Sequence, residues 1–148
     1  MERTFHILLY RAFHAQRNYL RPFLDEIGLG TGQPKILSCL AEHGACNQRE
    51  IADYLEIDPA AVSRMLGTLD KSGFITHKGN QSNRRVDVVA LTEKGRQAHN
   101  AWQQHCQDME QSMLAGFSPK EKEQFADYLT RTYQNFKQLN SERRGEKP

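Results

Sequence analysis

The chain has 148 residues, 38% of them hydrophobic and 26% charged, with a formal net charge of +2. That is the length of one ordinary domain, lean for a compact monomer but adequate for a helical protein that buries more surface against a second subunit. No apolar run nears the ~18 residues a membrane span needs. Met1-Glu2-Arg3-Thr4-Phe5-His6 opens no signal-peptide stretch, and Cys39, Cys46 and Cys106 are too few and too odd in number for a disulfide framework. A cytoplasmic protein without a membrane partner is expected.

From Glu2 to about Ile27, apolar residues recur at Phe5, Leu8, Leu9, Ala12, Tyr19, Leu20, Phe23, Leu24 and Ile27, the spacing of an amphipathic helix with a kink expected at Pro22. A second helix spans Gln33 to about His43, with Ile36, Leu37 and Leu40 on one face and Gly44 as its stop. Asn47, with Glu50 three residues on, reads as a capping box for a third, whose apolar face is Ile51, Ala52 and Leu55. After a turn at Glu56-Ile57, Asp58-Pro59 announces a fourth helix that buries Val62, Leu66 and Leu69 and ends at Gly73.

The period then drops to about 2. Phe74–Lys78 and Val86–Leu91 read as the strands of a hairpin, joined by the polar, basic loop Gly79–Arg85. Thr92-Glu93-Lys94-Gly95 opens a helix carrying Ala98, Ala101, Trp102, His105, Met109 and Met113. Ser118-Pro119-Lys120-Glu121 opens the last, with Phe125, Tyr128, Leu129, Tyr133 and Phe136; a frayed tail is expected from Ser141. Charge gathers in the middle. Ala60–Arg96 holds seven basic residues against three acidic, a local +4 that leaves −2 on the rest, so a polyanion would meet this part of the chain.

Four helices, a two-stranded hairpin and two more helices make a mainly α chain with a small β-hairpin: a winged helix-turn-helix flanked by long helices. Such a unit can place one helix in the major groove of duplex DNA and reach beside it with the hairpin. The chain resembles the MarR (multiple antibiotic resistance regulator) family of transcription regulators over nearly its whole length. The resemblance is carried by Gly32-Gln33-Pro34-Lys35-Ile36-Leu37, Gln48-Arg49-Glu50-Ile51-Ala52, Asp58–Leu66, Leu69–Ile75, and Asn83-Arg84-Arg85 followed by Val89–Gly95. One departure is Asn83, where the family usually has an aspartate that would tether a wing arginine. The resemblance implies a homodimer, with residues 1–30 and 96–148 as dimerisation helices and 31–95 as the DNA-binding region. It also implies a repressor of palindromic operators, released by a small aromatic or phenolic ligand; no cofactor and no metal are expected.

With Val62, Leu66 and Leu69 inward, the fourth helix leaves Ala60, Ser63, Arg64, Gly67 and Lys71 for DNA. The small residues allow close approach, and Arg64 can bond a guanine edge in bidentate fashion. Arg84 and Arg85 at the wing, Lys78 at its base, and Gln48 and Arg49 at the third helix's start are expected on phosphates or in the minor groove. The dimer residues implied are Phe5, Leu8, Leu9, Phe125, Tyr128, Leu129, Tyr133 and Phe136, and the effector-pocket residues Tyr10, His14, Arg17 and Lys35.

Two alternatives stand beside this. The spacing of Cys39, His43 and Cys46 could contribute metal ligands, and the resemblance allows thiol-redox sensing on the same scaffold, although a buried cysteine is usually a small hydrophobe and no full metal-ligand set is evident. The other is a winged-helix module for protein–protein contacts. An enzyme is not expected. Gly28-Leu29-Gly30-Thr31-Gly32 follows a helix rather than a strand, so it is no dinucleotide loop, and no nucleophile elbow or phosphate loop occurs.

Overall fold

A computed structural model describes residues 4–79 and 87–145. In chain order these form α1 (Phe5–Ile27), α2 (Gln33–His43), β1 (Cys46–Asn47), α3 (Gln48–Leu55), α4 (Pro59–Lys71), β2 (Ile75–Gly79), β3 (Asp87–Leu91), α5 (Glu93–Met113) and α6 (Pro119–Arg144). Most helix ends follow from local chemistry. The helix α1 runs through Pro22 and closes at Gly28, whose φ of 88° an L side chain would resist. At α3 the capping box is complete: Glu50 N donates to Asn47 Oδ1 (2.9 Å) and Asn47 N to Glu50 Oε2 (2.8 Å). The same box recurs at α6 with Ser118 and Glu121. The turn into α4 uses no glycine. Glu56 adopts φ 55°, and Asp58 then accepts from Ala61 N to start the helix. Caps of this kind contribute about 1 kcal/mol each.

The expected antiparallel strand pair is present as β2 and β3, and a short third strand extends it, giving a sheet in the order β1-β3-β2. Cys46 and Asn47 pair with Val89 and Val88, so the residues that start α3 also bind it to the wing strand. The tail is helical through Arg144 and closes at Gly145, where fraying from Ser141 was expected; Arg143 and Arg144 sit in the last turn, where cations favour the helix end.

By contacts the chain divides into Met1–Gln107 and Asp108–Pro148. The first unit has one core, in which Ile36, Leu37 and Leu40 of α2 meet Ile51 of α3, Val62, Leu66 and Leu69 of α4, and Phe74, Ile75 and Val89 of the wing. The second unit lacks such a centre, and no residue of α6 is buried. Among the described residues no helix is long and apolar enough to cross a membrane.

Candidate nucleic-acid interface

The helix α4 divides cleanly. Val62, Leu66 and Leu69 are buried, whereas Ala60, Ser63, Arg64, Gly67 and Lys71 are all exposed. A Cβ built on Gly67 would meet nothing within 4 Å, so the middle of this face is flat and open. Its position is set at both ends. At the start, Gln48 Nε2 donates to Pro59 O (3.1 Å), tying α3 to α4. Gln48, expected to touch phosphate, thus has its amide engaged within the protein, while Arg49 beside it is exposed.

At the far end, the Thr92–Gly95 segment grips the loop that leaves α4. Thr92 Oγ1 donates to Gly73 O (2.6 Å) and accepts from Gly95 N (3.1 Å). Lys94 Nζ donates to Ser72 O (2.6 Å) and lies 4.5 Å from the centroid of the Phe74 ring. Arg96 bonds Glu93 Oε2 (3.1 Å) and Leu91 O (3.3 Å). Two of the cations behind the local +4 therefore also hold the fold together, and Arg49, Arg64, Lys71 and Lys78 are exposed on the described residues of this region.

Lys78 stands apart from α4. It pairs with Val88 in the sheet and lines a cleft of about 500 Å³ with Ala90, Arg96 and His99. On the opposite face, His77 meets carboxylates from two elements, Asp87 Oδ2 at 2.7 Å and Asp70 Oδ2 at 3.7 Å. Sequence reading took His77 only as a strand residue, because its partners come together through register and packing. Arg84, Arg85 and the departure at Asn83 lie outside the described residues.

A second cavity, of about 420 Å³, is bounded by α1, the start of α2 and α5. Its apolar lining includes Phe13, Leu20, Leu24, Pro34 and Trp102, and Arg17, Arg21 and Lys35 bring three cations to it. Of the expected pocket residues it gathers Arg17 and Lys35 but neither Tyr10 nor His14, which stack on each other along exposed α1 (centroids 5.5 Å apart). Arg21 and Leu24 on α1, and Trp102 and Cys106 one turn apart on α5, are among the lining residues that sequence reading missed. Only the i, i+4 spacing of Trp102 and Cys106 hinted at a shared face.

The expected dimer residues are uncovered in the single chain: Phe5 is 88% exposed, Tyr128 56% and Phe136 53%, with Leu8, Leu9, Phe125, Leu129 and Tyr133 also exposed. The thiols tell against redox sensing by the Cys39–Cys46 pair. Both are buried; burial, aided by the neighbouring Cys46 sulfur, pushes the Cys39 thiol up to about 11, and burial also raises Cys46. A thiol held protonated is a poor nucleophile. Among the described residues no cluster of histidine, cysteine and carboxylate side chains is arranged to hold a metal.

The MarR family model matches residues 31–86. The uncharacterized HTH-type transcriptional regulator YxaD of Bacillus subtilis is 30% identical over 119 residues, covering 77% of this chain and 83% of that protein. The HTH-type transcriptional repressor MdtR of Bacillus subtilis is 32% identical over 72 residues, 49% of this chain and 46% of its own length. The solved structure of an uncharacterized SlyA-like transcription regulator from Listeria monocytogenes superposes with a TM-score of 0.82 at 25% identity, covering 100% of this chain and 99% of that one.

Proposed function

Because the chain belongs to the MarR family of DNA-binding transcription regulators, which are not enzymes, we propose that it works as a homodimeric repressor of a palindromic operator and is released by a small anionic aromatic ligand. The observation that carries the DNA reading is the open face of α4, where Arg64 stands among small residues while the other face is locked into the core. One such helix makes too few contacts for useful specificity, and two copies about one DNA turn apart remedy this. Pairing is supported by α6, 26 residues long with none buried. A long helix whose aromatic residues face water gains its stability from a partner. In this reading residues 1–30 and 96–148 pair the subunits and 31–95 meet the DNA.

Release by a ligand is supported by the cavity beside α1. Apolar walls would hold an aromatic ring, and Arg17, Arg21 and Lys35 would favour a carboxylate or phenolate on it. The repressor role follows the likeness to MdtR.

Footprinting on the DNA flanking the gene tests the reading, with a two-fold symmetric protected site expected. Arg64→Ala should relax base preference by about 1–3 kcal/mol at one position per half-site, and Arg84→Ala should weaken all sequences alike and lower the salt slope. Equal losses with no change of slope for both variants would refute this division of labour.

A further inference from the structure

We propose that His77 is a positioning residue, a proton-operated clasp that fixes the wing against the DNA-facing helix. The clasp joins three elements. His77 sits on β2; Asp87, its diagonal neighbour on β3, holds Nδ1 at 2.7 Å; and Asp70 of α4 faces Nε2 at 3.7 Å. These two carboxylates are the titratable groups that the described residues bring within ion-pair reach of the ring. Lys78, next along β2, sits with Ala90 and Arg96 on the other side of the sheet.

The unequal distances follow from hydrogen count. A neutral imidazole has one N–H. At 2.7 Å from an ionised carboxylate, that hydrogen belongs on Nδ1, which leaves the Nε2 lone pair turned towards the negative Asp70. A separation of 3.7 Å is too long for a hydrogen bond but within reach of an ion pair. Adding a proton turns the repulsive contact into an attractive one, and the ring then donates to both carboxylates. Asp70 lies in the last turn of α4, where the helix end is itself negative, so a cation there is doubly favoured. One proton thereby draws the wing strands and the end of α4 together. Both elements must be placed at once for DNA to be gripped in adjacent grooves. Histidine is the side chain whose ordinary charge change falls between about pH 5 and pH 8, which sets the range to search.

The inference rests on DNA binding by this surface, and its test has an arm that needs no DNA. In the full-length protein, the His77 ring and Gly79 amide signals are followed by NMR from about pH 8 to about pH 6. The Gly79 amide should move with the ring's protonation in the wild type and stop doing so in Asp70→Asn. In the second arm, a labelled duplex enriched from a randomised pool is titrated by fluorescence anisotropy over the same range. Wild-type binding should tighten on acidification about two- to fivefold more than that of His77→Gln, the range an exposed ion pair supports. Asp70→Asn, which keeps the histidine, should lose that increment too. If Asp70→Asn keeps it, the added charge acts on phosphate directly and the clasp is overturned. An unchanged pH profile in His77→Gln, or a Gly79 signal that still follows the ring in Asp70→Asn, also overturns it. If no duplex is enriched, the DNA-binding reading fails and the NMR arm judges the clasp by itself.

Discussion

Alanine in place of Gly95 sets helix propensity against packing. Gly95 lies in the first turn of α5, where alanine is ordinarily the better residue by up to about 1 kcal/mol. A Cβ there, however, would fall 2.0 Å from Phe74 O and 3.2 Å from Leu91 Cδ2. Ordinary contact is about 3.5 Å, so the backbone at Phe74 would have to retreat by about 1.5 Å. That backbone is the one α5 grips: Thr92 N donates to Phe74 O at 3.1 Å, and Thr92 Oγ1 to Gly73 O at 2.6 Å. Overpacking costs about 1–3 kcal/mol, and each weakened hydrogen bond about 0.5–1.5 kcal/mol. After the propensity gain, a net loss of about 2–4 kcal/mol is expected.

At about 2–4 °C per kcal/mol for a chain of this size, the melting midpoint of Gly95→Ala should fall by about 5–15 °C. The comparison needs one fixed protein concentration, since pairing of subunits adds to apparent stability. Gly67→Ala is the control. It is also helical, but its Cβ would meet nothing within 4 Å, so its midpoint should rise by about 2–3 °C while DNA affinity drops. A Gly95→Ala protein as stable as the wild type would show instead that the loop after α4 is free to yield.

Three further outcomes are expected. Leu129→Glu, on the exposed face of α6, should convert a paired species into one of 17.1 kDa in sedimentation at micromolar concentration; retention of the paired mass would remove that face from the interface. Dithionitrobenzoate at about pH 8 should label half-buried Cys106 first, since a thiol at about 11 is ionised in only about one molecule per thousand at that pH; equally fast labelling of Cys39 and Cys46 would contradict their burial. Burial holds the His99 imidazole below its usual value, so the unfolded chain binds this proton more readily than the folded one. Stability from His99 is then present above about pH 6.5 and lost as pH falls, and His99→Gln should flatten the decline of the melting midpoint between about pH 7 and about pH 5.

The helices were legible because their boundaries are written in adjacent residues. Asp58-Pro59, Ser118-Pro119 and the Asn47/Glu50 pair each supply a cap within one turn, and the structure starts α4, α6 and α3 at those points. The inward face of α4 was legible for the same reason, being fixed by its own periodicity. What depends on distant partners was not. Two residues, Cys46 and Asn47, are too short a run to show a period, so the third strand went unread. The turn at Glu56 has no glycine to mark its positive φ, though the flanking caps located it. The cavity lies along Phe13–Leu24 of α1 rather than beside Tyr10, because where α1 meets α5 is decided by packing such as Phe23 on His105 (centroids 3.9 Å apart). Nothing local encodes that crossing.

The proposed release needs a path from the cavity to the DNA-facing helix, and one contact supplies its first step. Gly32, which lines the cavity and precedes α2, lies against α4: a Cβ on it would stand 3.3 Å from Met65 Sδ. Met65 is the neighbour of Arg64, and its helix is a rigid rod anchored by Gln48 at one end and by Thr92 and Lys94 at the other. A ligand that displaces Gly32 and Pro34 presses on the Met65 side chain, and release requires that the push pass beyond that flexible thioether to the rod and its two anchors. Bidentate contacts to a base edge tolerate little displacement, so a shift of about 1 Å suffices to lose them. The ligand must then bind the displaced arrangement better than the DNA-bound one, and a preference of about 1–3 kcal/mol, ordinary for coupled sites, gives roughly five- to 150-fold weaker DNA binding.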